Sequence, residues 1–215
     1  MMTQMPSPKP DPARRNERSR RAILDAAIAL IGELGYDRVS IEAIAKRAGV
    51  GKQTIYRWWP SKGAVALEAL DASLATVVDF PDSGDIVEDL RTQMKGVTQL
   101  LGSTEVGPVY QGLLAAAQCD PALSRAHIEQ VIEPATVACH ERIARAQQRG
   151  ELRADADRQA IIDMLYGAIY YRLLLHTRPL EPEQIDAALD IAFEGLRYRQ
   201  IAEKLLGLAP VRPSS

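Results

Sequence analysis

The feature that most constrains this chain is the segment SIEAIAKRAGVGKQTIYRWWPSK, residues 40–62, in which two short helical patterns meet at a tight turn. The first helix is predicted over residues 41–48, and Ser40 is a good cap for its N-terminus. AGVG at 48–51 supplies a turn rich in glycine, and the second helix is predicted over about 52–58. Two short helices joined in this way predict a helix-turn-helix.

The two predicted helices differ in what their faces offer. Ile41 and Ile44 share one face of the first helix, and Ile55 of the second is placed to close the same core. Polar and aromatic side chains remain for the outer face of the second helix. Such a face suits the major groove of DNA, where donors reach base edges and phosphates. These outward residues are Lys52, Gln53, Thr54, Tyr56, Arg57 and Trp58.

The longer segment ILDAAIALIGELGYDRVSIEAIAKRAGVGKQTIYRWWPSKGAVALEAL, residues 23–70, resembles the tetracycline-repressor (TetR/AcrR-like) family of regulators. The family pattern is an apolar helix, then G-[YF]-x-x-[ST]-[ITV]-x-x-I-A-x-x-A-G-V, then T-[LI]-Y-x-[HYW]-[FW]-x-[SN]-K. The match is long and without gaps. Tandem Trp58-Trp59 stands where His or Tyr followed by Phe is commoner. The matching positions are Gly35-Tyr36, Ser40-Ile41, Ile44-Ala45, Ala48-Gly49-Val50, Thr54-Ile55-Tyr56, Trp59 and Ser61-Lys62.

The resemblance implies which residues contact DNA. Gln53 and Arg57 would read bases, whereas Tyr56 and Lys62 would contact the phosphate backbone. The alternative role for Tyr56 and for Trp58 is packing within the DNA-binding domain itself. The full set of DNA-contact candidates is Ser40, Arg47, Lys52, Gln53, Thr54, Tyr56, Arg57, Trp58 and Lys62.

The chain as a whole is predicted to be all-α, with a three-helix DNA-binding domain followed by a larger helical ligand-binding and dimerisation domain. Residues 1–15 are expected to be disordered, 16–63 to form the helix-turn-helix domain and 64–215 the larger domain. Pro134 is expected to kink or split a helix near Glu133. About nine helices are expected in total, including the two above. The others are predicted over residues 16–34, 61–78, 85–102, 106–118, 121–149, 156–177 and 182–206.

Charge is distributed unevenly along the chain. Residues 1–63 carry 12 Lys and Arg against 6 Asp and Glu, whereas the remainder carries 14 against 22. A basic N-terminal region favours a polyanionic partner for that region. The alternative explanation is that the charge difference between the two parts of the chain arose by chance. Arg14, Arg15 and Arg18 are either a solvated charge run or an arm that reaches a minor groove.

The region beyond residue 70 resembles its family counterparts more weakly, through RGELRADAD at 149–157 and GAIYYRLLLHTRPL at 167–180. The resemblance implies that the last two long helices form a four-helix bundle with those of a second subunit. Their apolar stripes agree with that arrangement, and burial within one chain is the alternative. The predicted dimer-interface residues are Ile161, Leu165, Ile169, Leu173, Leu189, Phe193 and Leu196.

A small-molecule pocket among the middle helices of the larger domain is also implied by the resemblance. Such pockets are mostly apolar with a few placed polar groups, although each candidate is also a plausible core residue. The candidate lining residues are Met94, Leu101, Tyr110, Leu114, Gln118, Ile128, Tyr166 and Tyr170.

Several function classes lack support in the sequence. No apolar run of about 18 residues predicts a membrane span, and the N-terminus has no apolar signal core. Cys119 and Cys139 are no disulfide framework, so a reducing cytoplasm is expected. The three histidines, His127, His140 and His176, lie in no metal-ligand or catalytic pattern, and neither an enzymatic activity, a metal nor a cofactor is predicted.

The function predicted from these observations is that of a dimeric repressor that a small-molecule ligand releases from a palindromic DNA operator. An activator, or a repressor that requires its ligand, is an alternative within the same family. A helical enzyme or carrier with an incidental helix-turn-helix is an alternative from another class, and the missing catalytic residues speak against it.

Overall fold

The computed structural model describes residues 12–77, 79–103 and 105–193, and all regular secondary structure in these ranges is helical, as predicted. A 3-10 turn occupies Tyr36–Arg38, and a π-helical turn at Ile128–Ile132 lies between α7 and α8. The helices are α1 Pro12–Leu34, α2 Ile41–Ala48, α3 Lys52–Tyr56, α4 Lys62–Leu74, α5 Ile86–Leu101, α6 Val106–Ala117, α7 Pro121–His127, α8 Glu133–Gln148, α9 Arg158–Leu175 and α10, which is described over residues 183–193.

Helix α1 begins at Pro12, four residues before its predicted start at Asn16. Proline is well tolerated in the first turn of a helix, because its missing N–H would have no partner there in any case. The helix ends before Gly35, whose φ of +83° is a conformation that residues with a side chain rarely adopt. Residues 1–11 of the predicted arm lie outside the described residues.

The turn between α2 and α3 is closed by local hydrogen bonds. Ser40 Oγ accepts from Ala43 N at 3.2 Å and caps α2, as predicted. Gly49 adopts a left-handed conformation with φ +68°, which allows Val50 N to donate to Ala45 O at 3.0 Å. The turn is therefore a stiff connection, and α3 leaves it in a defined direction.

Helix α3 is shorter than predicted, since it ends at Tyr56 and not at Trp58. The chain beyond it still forms a turn, in which Arg57 N and Trp59 N donate to carbonyls of α3 at 3.1 and 2.9 Å. Pro60 follows and has no N–H with which to extend the helix.

Pro134 has the effect that the sequence predicted. The long helical stretch that starts at Pro121 widens into the π-helical turn and resumes as α8 at Glu133. Proline cannot donate a backbone hydrogen bond and its ring crowds the preceding turn. The wider turn just before it accommodates both effects, so the split falls where it was expected.

The contacts of the described residues divide into two units. The first comprises residues 12–72 with 105–124, and the second comprises residues 73–103 with 125–193, apart from residue 78. The first unit thus includes α6, although α6 lies far beyond the helix-turn-helix in sequence. The predicted functional boundary between residues 63 and 64 stays a prediction.

The core of the first unit forms where α1 meets α2 and α6. Ile23 and Ile31 of α1, Ile44 of α2 and Ile55 of α3 are completely buried, and α6 contributes Leu113. Burying one such side chain stabilises the folded state by about 1.5–3 kcal/mol. Since α3 is only five residues long, its position depends on Ile55 in this core.

The approach of α6 to the 3-10 turn requires a glycine. A Cβ atom at Gly112 would lie 2.3 Å from Cβ of Tyr36 and 3.0 Å from its ring. Cβ is fixed to the backbone, so Tyr36 cannot avoid a larger neighbour by changing its rotamer. Contact between α6 and the turn therefore depends on the absence of a side chain at position 112.

The second unit packs α5, α8, α9 and α10 around an apolar core. A buried ion network fixes its interior: Arg142 is fully buried, with its Nε atom 2.6 Å from Asp89 Oδ2 and Nη2 3.2 Å from Glu151 Oε2. Ser83 Oγ donates to Asp89 at 2.7 Å, and Ile86 N donates to Glu151 at 2.8 Å. The network joins α8 to the start of α5.

The charges of this network also set the ionisation of Asp89. Burial would raise the pKa of Asp89, but hydrogen bonds from Ser83 and Arg142 outweigh it and hold the pKa below its ordinary value. A carboxylate with a lowered pKa stabilises the fold above its unfolded pKa of about 3.9, and this stabilisation is lost as pH falls through the folded pKa.

We expect Gly112→Ala to lower the free energy of unfolding by about 1–3 kcal/mol, because the added methyl group clashes with Tyr36. Urea unfolding measures the change. Gly96→Ala in α5 is the matched control, since a Cβ there meets Val77 Cγ1 at an ordinary 3.5 Å and a helix gains from the change. Equal stability changes in the two variants would contradict the close approach.

We expect Asp89→Asn to lower the free energy of unfolding at pH 7 by about 3 kcal/mol, because it removes one partner of a buried ion pair. The variant should also lose less stability than the wild type as pH falls below about 3.9, because asparagine has no carboxylate to protonate there. Urea unfolding across this range measures both effects. Asp155→Asn, which breaks only the pair between the exposed Asp155 and the half-buried Arg153, should change neither. An unaltered pH profile for Asp89→Asn would contradict this role.

Candidate nucleic-acid interface

Helix α3 presents its polar side outward, as the sequence predicts. Lys52, Gln53 and Tyr56 are exposed, with 51% of Tyr56 accessible, and Thr54 is half-buried. Ile55 points the opposite way and is completely buried. One short helix thus combines an apolar anchor with a face of donors and an aromatic ring, which is the arrangement that a major-groove reading helix needs.

At the end of α3, an arginine lies over the ring of a neighbouring tryptophan. The Arg57 side chain is exposed, and its Cζ atom lies 5.1 Å from the ring centroid of Trp58. Trp58 meets Trp59 edge to face, with centroids 5.4 Å apart and planes at 88°. Trp58, for which DNA contact and packing were both predicted, is half-buried.

Trp59 anchors this aromatic pair in the first unit. It is only 3% exposed, and its Nε1 donates to Glu68 Oε2 at 2.7 Å. Glu68 also forms an ion pair with Arg20 of α1. The C-terminal end of α3 is therefore tied through Trp59 to both α4 and α1.

Arg47 is engaged inside the first unit. Its Nη1 and Nη2 atoms donate to the two carboxylate oxygens of Glu33 at 3.1 and 2.7 Å. The hydrogen bonds from Arg47 lower the pKa of Glu33. Both groups are exposed, and DNA would have to compete with Glu33 for this guanidinium. DNA contact by Arg47 therefore stays a prediction.

Lys62 and Lys52 also have partners within the protein. The Nζ atom of Lys62 donates to Tyr36 O at 2.6 Å and lies 4.2 Å from the Tyr36 ring, and burial lowers the pKa of Lys62. Lys52 is 3.5 Å from Glu42 in an exposed ion pair. Lys62 holds the 3-10 turn, and its predicted phosphate contact would use the two ammonium hydrogens that remain.

Sequence reasoning missed one cation on this surface. Lys46 is exposed on the last turn of α2, beside Arg47, and forms no ion pair within the described residues. The sequence did contain a signal for Lys46, because two adjacent basic residues end the predicted helix. Which of them is engaged depends on Glu33, whose contact with α2 the sequence does not reveal.

The predicted ligand-binding residues are divided between the units. Tyr110, Leu114 and Gln118 lie in the first unit, where Tyr110 is buried and Gln118 is exposed. The others lie in the second unit, and their contribution to a pocket stays a prediction. Met94 and Leu101 are core residues, Ile128 is 45% exposed, and both Tyr166 and Tyr170 of α9 are half-buried.

Buried polar groups of the second unit cluster around Tyr166. Its hydroxyl donates to Gln93 Oε1, and Gln93 Nε2 donates to Val77 O at 2.9 Å. Burial raises the pKa of the Cys139 thiol to about 12, and a hydrogen bond with Tyr166 lowers it in part. Gln93 was missed, because a glutamine on an otherwise ordinary helix gives no sign of its burial.

The predicted dimer-interface residues turn out to be core residues of the second unit. Leu196 lies outside the described residues. Side chains that are already buried within one chain leave little area for a partner. The others are 0–4% exposed, and they are Ile161, Leu165, Ile169, Leu173, Leu189 and Phe193.

A second apolar stripe does remain exposed on α9 and α10. On α9, Met164 is 51% exposed, Tyr171 58% and Leu175 60%, and on α10, Ile191 is 74% exposed. Met164, Tyr171 and Leu175 are separated by seven and four residues, so these three side chains lie on one side of α9.

In the described part of the chain, no group of three or more His, Cys, Asp or Glu side chains is placed to hold a metal ion. Likewise, none of the helices in these ranges is long and apolar enough to cross a bilayer.

The short helix with an outward polar face, mounted beside a glycine turn, defines a helix-turn-helix protein. The family described as "Bacterial regulatory proteins, tetR family" matches residues 23–69, and "Tetracyclin repressor-like, C-terminal domain" matches residues 80–192. The chain therefore belongs to the TetR family and is a DNA-binding transcriptional regulator.

Individual relatives agree with this assignment. The chain is 32% identical to HTH-type transcriptional regulator YdeS of Bacillus subtilis, over 89% of this chain and 96% of YdeS. It is 33% identical to the DNA-binding transcriptional repressor TetR of Mycobacteroides abscessus, over 75% of this chain and 85% of that protein. The solved TetR family transcription regulator SCO0332 is 31% identical, with a TM-score of 0.66 over 90% of this chain and 100% of that one.

Proposed function

We propose that this protein is a repressor that binds a palindromic operator as a homodimer and leaves it when a small molecule binds the larger helical domain. The observation that carries the proposal is the face of α3, with Lys52, Gln53, Tyr56 and Arg57 exposed above the buried Ile55. The similarity to a repressor from Mycobacteroides abscessus supports the direction of regulation. Such a regulator acts in the cytoplasm, where bacterial DNA lies.

The homodimer follows from what one copy of α3 can achieve. A helix of five residues reaches few base pairs, so useful specificity needs two copies. Two-fold symmetric proteins place their reading helices in successive major grooves, about 34–36 Å apart. The exposed stripe of Met164, Tyr171, Leu175 and Ile191 is the surface that we assign to the second copy, in place of the buried residues first predicted.

We place the proposed ligand site in the interior of the second unit. The cluster of Gln93, Tyr166 and Cys139 offers a few polar groups within a core that is otherwise mostly apolar. A ligand that binds better to the DNA-free conformation would shift the population away from the operator-bound one. The coupling is reciprocal, so operator DNA would weaken ligand binding by the same factor.

Selection of bound duplexes from random DNA at a stated salt concentration tests the proposal. We expect a palindrome with half-sites about one helical turn apart, and an affinity that falls steeply as salt rises. Triple substitution of Lys52, Gln53 and Arg57 by Ala should abolish the selection without unfolding the protein. Enrichment of no sequence, or of a single unrepeated half-site, would refute the palindromic operator.

We expect Ile191→Glu to convert the dimer into a monomer that folds normally, because a carboxylate cannot be buried unpaired in an apolar interface. Sedimentation velocity measures the mass, and operator binding at low protein concentration should weaken in parallel. Val137→Glu on α8, also at an exposed apolar position, is the matched control and should leave the dimer intact. A dimer that survives Ile191→Glu would remove this surface from the interface.

A further inference from the structure

Arg57 differs from the other arginine predicted to contact DNA. The guanidinium of Arg47 is occupied by two hydrogen bonds to Glu33. Arg57 has no ion pair among the described residues and lies instead over the Trp58 ring, at 5.1 Å. An aromatic face attracts the cation without using any of its N–H donors. Arg57 is therefore held in place while its charge and donors stay available for DNA.

The support beneath Arg57 is itself immobilised. Trp58 packs edge to face against Trp59, and Trp59 is anchored by its hydrogen bond to Glu68 of α4. Glu68 is in turn paired with Arg20. A flexible arginine loses side-chain entropy when it binds, and a support that already restricts it reduces that cost.

We propose that Trp58 is a positioning residue that holds Arg57 for the recognition of a guanine in each operator half-site. Arginine pairs with guanine O6 and N7 through two parallel hydrogen bonds, and this geometry tolerates little misalignment. The role goes beyond the DNA binding established above, because it separates two effects. Trp58 contributes to discrimination between bases, whereas the charge of Arg57 contributes to affinity for any duplex.

The test uses the full-length protein and the duplex selected as described above, with each G·C pair of the half-site changed in turn to A·T. We expect the wild type to discriminate against one such change by about tenfold or more, and Arg57→Ala to abolish that discrimination. Trp58→Leu should lose most of it and keep the salt dependence of binding, because Arg57 remains charged. Trp58→Phe, which retains a ring, should restore most of the discrimination.

A double-mutant cycle separates positioning from a merely structural effect. If Trp58 acts through Arg57, Trp58→Leu should weaken binding to the selected duplex in the wild type but cause no further loss of that affinity in the Arg57→Ala background. Circular dichroism and thermal unfolding check that each variant folds. Independent, additive losses from the two substitutions, or an equal loss of affinity for every duplex in Trp58→Leu, would overturn the proposal.

A second measurement needs no DNA and so separates this proposal from the operator proposal. In the free wild-type protein, nuclear magnetic resonance should show the Arg57 side-chain protons shifted upfield by the Trp58 ring, and the shift should vanish in Trp58→Leu. Unshifted protons in the wild type would refute the positioning role even if a palindrome is selected. A ring shift without any selected duplex would instead refute the operator, and with it the reading of guanine.

Discussion

The burial of Ile55 beneath the recognition helix is the interaction on which the function of this protein depends. An isolated helix of five residues is unstable in water, since nucleation costs more than so few hydrogen bonds return. Helix α3 exists because Ile55 and Trp59 are buried in the core of the first unit. The polar face is rigid for the same reason, and a rigid face is what allows a few side chains to distinguish base pairs.

Local chemistry explains which parts of the fold could be predicted from sequence. Glycines, the Ser40 cap and Pro134 act on their immediate neighbours, so the helix-turn-helix and the split before α8 were both predicted and are confirmed. Assignments that need a partner distant in sequence were not accessible. Glu33, fourteen residues from Arg47, occupies a guanidinium that the pattern offered to DNA.

Helix α9 shows a second limit of pattern analysis. It carries one apolar stripe through Ile161 and Leu165 and another through Met164 and Tyr171. Periodicity identifies both stripes but does not say which one the chain buries itself. The first stripe is part of the core and the second is exposed. The surface that we assign to a second copy is therefore rotated by part of a helical turn from the one that the sequence predicted. The ion network around Arg142 was missed similarly, because its partner Asp89 is 53 residues away.

The contact between Gly112 and Tyr36 has a consequence for how this architecture can be cut and recombined. Helix α6 completes the unit that contains the recognition helix, yet residues 57–105, which include α4 and a long segment of the other unit, separate the two in the chain. An excised N-terminal fragment would lack α6, one of the helices that form its core. A chimaera that joins this head to a foreign effector region would need to carry α6 along, or find in the new region a helix with an equally small residue opposite the tyrosine.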